Sequence, residues 1–120
     1  MPTLRFTKKA KLIKTDEFSS VFSFRCGKAG IYLNVYAKPN ANRFARLGIV
    51  VGKKQLRTAV ARNFAKRIIR DVFRLQQPNL PPLDYIVRVT KPFDKTVSSL
   101  VRHELILLLN KVKSLRCQNS

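Results

Sequence analysis

Between Lys53 and Arg74 the chain carries eight Lys or Arg residues and a single acid, Asp71. At about 100° per residue, Arg62, Asn63, Lys66, Arg67, Arg70 and Arg74 fall within an arc of about 140°. Val60, Ala61, Phe64, Ala65, Ile68, Ile69, Val72 and Leu75 fill the other side, and Phe73 stands at the boundary. Guanidinium and ammonium groups in such a row bind anions, and a row of one sign binds a polyanion. With one acid among them, these charges are not laced into salt bridges along the helix. The pattern points to nucleic acid.

The acids offer no comparable constellation. Asp16, Glu17, Asp71, Asp84, Asp94 and Glu104 are spread over separate predicted elements. Two-metal phosphodiester cleavage needs several carboxylates converging on ions about 4 Å apart. Asp16 and Glu17, the adjacent pair, suit the first turn of a helix capped by Thr15. His103 falls within a predicted helix with no nucleophile beside it, and Ser98-Ser99 have no base partner. No catalytic residue and no metal site is assigned. Cys26 and Cys117 form no CxxC, so they read as two incidental thiols in a reducing cytoplasm.

The elements that must position the basic row follow from composition and periodicity. The chain has 120 residues, 45% hydrophobic, with 25 basic and 6 acidic side chains and a formal charge of +19. That suits a single domain over 1–120 with one core, whose self-repulsion a bound polyanion relieves. No apolar run approaches the roughly 20 residues that span a bilayer, and no signal-peptide pattern opens the chain. Residues 1–14 read as a flexible basic arm, and 114–120 as a fraying tail. A short helix after Thr15 lines up Phe18, Val21 and Phe22. Ile31–Ala37 and Arg46–Val51 read as strands, most simply hairpin partners across the Pro39-Asn40-Ala41-Asn42 turn, with a weaker strand at 23–28. The basic helix spans about Thr58 to Leu75, a breaker-rich loop follows at 76–82, and Asp84–Thr90 is a further strand. A last helix covers about 95–113. The order α-β-β-β-α-β-α predicts an α+β fold, three helices packed on a small mixed four-stranded sheet.

The run Lys53-Lys54, then Ala59-Val60-x-Arg62-Asn63-x-x-Lys66-Arg67-x-x-Arg70 and Phe73, resembles the signature of the bacterial ribonuclease P protein subunit. Leu12-x-Lys14-x-x-Glu17-Phe18-x-x-Val21-Phe22 is similar to that family's first helix, and Arg46–Val51 and Asp84–Val87 to its third and fourth strands. The chain departs from the pattern at Phe64, where an Arg is usual and which the helical projection puts on the apolar face. It departs again at Gly52, often Ser, which would loosen that strand end. The resemblance implies a left-handed crossover between the third and fourth strands, where general rules favour the right-handed one.

The resemblance further implies a protein that serves a catalytic RNA in removing the 5′ leader of precursor tRNA. The RNA, as 1:1 partner, would hold Mg²⁺ and perform the cleavage, in the cytoplasm, with no membrane and no further protein required. Lys53, Lys54, Arg62, Asn63, Lys66, Arg67 and Arg70 would face the catalytic RNA. Phe18, Phe22 and Tyr36 would line a cleft for the single-stranded leader, where bases stack on rings. Core packing is an equal reading of Phe18 and Phe22 at their i,i+4 spacing. Arg88 and Lys91 could add charge there, but the sequence leaves their faces open. The alternative is a structural, ribosomal-type RNA-binding protein with no part in tRNA processing.

Overall fold

The computed structural model describes residues 21, 26–39, 45–52 and 54–114. Four strands, β1 (Cys26–Ala29), β2 (Leu33–Pro39), β3 (Arg46–Val50) and β4 (Leu83–Val89), form one sheet in the order β1-β2-β4-β3. Helix α1 (Ala59–Gln76) connects β3 to β4, and α2 (Ser98–Ser114) follows β4. Single 3-10 turns at Gln77–Asn79 and Lys95–Val97 carry the chain out of α1 and into α2. Pro78 opens the first of these turns, and Asp94 caps the second by accepting from the Thr96 amide.

The α+β class and the mixed four-stranded sheet agree with the reading of the sequence, but β2 and β3 are not hairpin partners. β4 lies between them, antiparallel to β2 and parallel to β3. The reason is burial: from Leu83 to Val87 every residue of β4 is buried, so both of its edges and both of its faces need cover. Two helices lie among the described residues. The third, expected after Thr15, falls outside them except for Val21, which is helical and buried.

Sheet register sorts the side chains onto two faces. Leu33, Val35 and Ala37 of β2 stand beside Val89, Val87 and Tyr85 of β4 and face the helices. There they meet Ala65, Ile68, Ile69, Val72 and Phe73 of α1 and Val101, Leu105, Leu108, Leu109 and Val112 of α2. Phe73 is fully buried, edge-to-face with Tyr85 at 5.7 Å between centroids. Burial raises the Tyr85 hydroxyl's pKa, and that hydroxyl donates to the Pro81 carbonyl.

Cys26 is disulfide-bonded, which corrects the expectation of two free thiols. Spacing along the sequence did not show it, because only the folded chain brings β1 against α2. Cys117, the other cysteine of the sequence, lies outside the described residues.

Candidate nucleic-acid interface

Helix α1 starts where Thr58, in extended conformation, accepts a hydrogen bond from the Ala61 amide at 3.0 Å. Its first turn holds no acid, so the positive end of the helix dipole remains available to an anion. The helix packs with its apolar stripe rotated by roughly 60° from the arc that periodicity alone predicts. Phe73, expected at the boundary, is fully buried inside it, whereas Val60 is 79% exposed and Leu75 53% exposed. Arg62 and Lys66 consequently lie half-buried at the flank, where long stems can cover apolar surface. Asn63, Arg67 and Arg70 are exposed. Phe64 packs against the core, as its place on the apolar side predicts.

Among the described residues, no carboxylate pairs with Lys54, Arg62, Lys66, Arg67 or Arg70. Asp71, the one acid of the helix, is instead between Arg74 at 3.9 Å and Arg102 of α2 at 3.7 Å. It draws Arg74 away from the row and leaves Arg67, one turn before it, without an acidic partner among the described residues. Lys54 and Arg57 add two exposed cations on the segment that enters the helix. Arg57 was not among the site residues expected from sequence. Its signal was its place immediately before the capping Thr58. Lys53 lies outside the described residues. The Gly52 carbonyl accepts from the Leu56 amide at 3.1 Å.

The sheet face away from the core carries a second set. Asn34 and Arg88 are register partners there, flanked by Tyr36 and Ile86. Asn34 Nδ2 donates to Tyr36 Oη at 3.2 Å. Val21 packs onto this face with Ile86, Tyr36 and Val50, so the ring of Tyr36 is partly covered. Arg88 is exposed and shares the face of Tyr36, which answers what the sequence left open. Because β4 is buried on both faces, no alternation marked that side in advance. Phe18 and Phe22 lie outside the described residues.

Each described acid is engaged elsewhere. Asp84 takes a bidentate pair from Arg46, at 2.7 and 2.6 Å. Glu104 accepts from the amides of Ile31, Tyr32 and Leu33 at 2.8 to 2.9 Å. Asp94 bonds the hydroxyl and amide of Thr96, which hold its carboxyl below the usual range. These groups sit on separate elements and do not fit a magnesium site.

A family model described as Ribonuclease P matches residues 6–113. The chain is 41% identical over 120 residues to the ribonuclease P protein component of Chromobacterium violaceum, covering 100% of this chain and 99% of that one. It is 43% identical over 108 residues to that of Azoarcus sp., covering 90% of each. The solved structure of the Staphylococcus aureus RNase P protein matches with a TM-score of 0.78 at 28% identity, over 86% of this chain and 94% of that one. The Thermotoga maritima RNase P protein matches with a TM-score of 0.69 at 28% identity, over 84% and 96%.

Proposed function

The chain belongs to the Ribonuclease P family, and from that premise we propose how its surfaces divide the work of tRNA processing. It is the protein subunit of a ribonucleoprotein endoribonuclease. In this reading Lys54, Asn63, Lys66, Arg67 and Arg70, with Lys53, face the phosphates of the catalytic RNA in a 1:1 complex. A-form grooves hide their base edges, so such docking reads backbone and shape. The sheet face with Tyr36, together with Phe18 and Phe22, takes the single-stranded leader of precursor tRNA. The RNA holds Mg²⁺ and performs the hydrolysis in the cytoplasm, and the cations of this chain lower the RNA–RNA repulsion that Mg²⁺ must otherwise offset. The left-handed crossover implied by the family resemblance would apply to the β3-α1-β4 connection.

The observation that supports this most is that, among the described residues, no acid pairs with Lys66, Arg67 or Arg70 on this helix face, while the described carboxylates have other partners. A structural RNA-binding role alone is not favoured, because the relatives are ribonuclease P components. Tyr36→Ala tests the leader assignment in the reconstituted complex. The variant should lose several-fold in affinity for precursor tRNA, by roughly one stacked base, while its affinity for mature tRNA and for the catalytic RNA holds. Equal losses for precursor and mature tRNA would refute it.

A further inference from the structure

We propose that Arg62 is a positioning residue, which sets the place of Lys54 and Arg57 rather than serving as one more independent phosphate contact. The inference rests on the RNA-facing reading of α1 given above. Arg62 Nη1 donates to the carbonyls of Leu56 and Arg57, both at 3.0 Å. A terminal guanidinium nitrogen has two N–H groups, so both are used by these carbonyls.

The two carbonyls precede the helix. The first helical bond runs from the Arg62 amide to Thr58, at 3.0 Å. Leu56 and Arg57 therefore have no place in the ladder for their oxygens, and the Arg62 side chain satisfies them from within the helix's opening turns. A cation reaching toward a helix N-terminus acts against the macrodipole, which needs local compensation. The paired carbonyls supply it. Arg62 is accordingly half-buried, whereas Asn63, Arg67 and Arg70 are exposed.

The segment it fastens is compact. Leu56 is buried in the core at 5% exposure, and its amide donates to Gly52. Lys54 and Arg57 flank Leu56 with exposed side chains. With the guanidinium in place, their cations are held at a fixed offset from the ridge of Lys66, Arg67 and Arg70. Without it, the carbonyls turn toward water and the two cations lose that offset.

A double-mutant cycle with ribonuclease P RNA transcribed from the same genome tests the coupling, with equilibrium affinity measured over a range of salt. R62A in the native background should weaken binding about ten-fold or more and flatten the salt dependence by about two units of slope. In the K54A/R57A background it should weaken binding by less than about three-fold, because contacting sites couple. Paired with R70A, its loss should multiply in full. An equal loss in the native and K54A/R57A backgrounds, with about one unit of slope, would show an independent phosphate contact and overturn the proposal. Amide exchange in the protein alone separates this from failure of the RNA-binding reading. The Leu56 amide should exchange about ten-fold faster in R62A and unchanged in R70A. Unchanged exchange in R62A would overturn the positioning role whatever the RNA result.

Discussion

Glu104 shows how a single side chain can fix a region far from it in sequence. Its carboxylate takes three successive amides of the turn between β1 and β2, and a Cβ at Gly30 would meet that carboxylate at 2.8 Å. Glu104→Ala leaves three donors to find water, two of them partly buried. Urea unfolding should show a loss of about 2 kcal/mol with RNA affinity unchanged. The Arg46–Asp84 pair behaves differently, because both groups are largely buried. Asp84→Ala removes the bidentate acceptor of a largely buried guanidinium and should cost about 3 kcal/mol, whereas the apolar double replacement R46M/D84L should recover most of it. An equal loss in single and double variants would show that the shape of the site, not the buried charge, dominates. Neither role was legible in the sequence. A carboxylate gives no local sign of the amides it will meet more than seventy residues away.

At the scale of elements, α1 was the most legible part of the chain, since Thr58, the 3.6-residue period and the breaker-rich loop after it all agree. Its rotation was not legible. Periodicity averages over the whole stripe, whereas packing is decided by which large side chain, here Phe73, finds a partner such as Tyr85. The same limit applied to strand order: β2 and β3 each look complete alone, and only the double-sided burial of β4 requires it to lie between them. The exposed first turn of α1 offers a test that separates fold from function. V60E adds an acid where the helix has none, at a residue in no core contact. It should stabilise the helix by about 0.5 kcal/mol in thermal unfolding and weaken RNA binding at the same time. Parallel gains in stability and affinity would mean that this end of the helix does not meet phosphate.

For the whole molecule, the charge of +19 matters less than its arrangement. Three of the described acids are placed where they tie elements together, Asp71 between α1 and α2, Asp84 across β3 and β4, and Glu104 between α2 and the β1–β2 turn. Arg67 and Arg70 of α1 are left to face outward. Net charge and the basic run were evident from the sequence; that the acids serve the scaffold was not, because it depends on the folded chain. The proposed division of labour, with binding in the protein and hydrolysis in the RNA, is tested most directly by reconstitution. Precursor tRNA cleavage by the ribonuclease P RNA is measured at a Mg²⁺ concentration too low for the RNA alone. The native chain should restore cleavage, the variant K66A/R67A/R70A should restore little of it at physiological salt, and the protein without RNA should cleave nothing. Cleavage by the protein alone, or full rescue by the triple variant, would contradict the account.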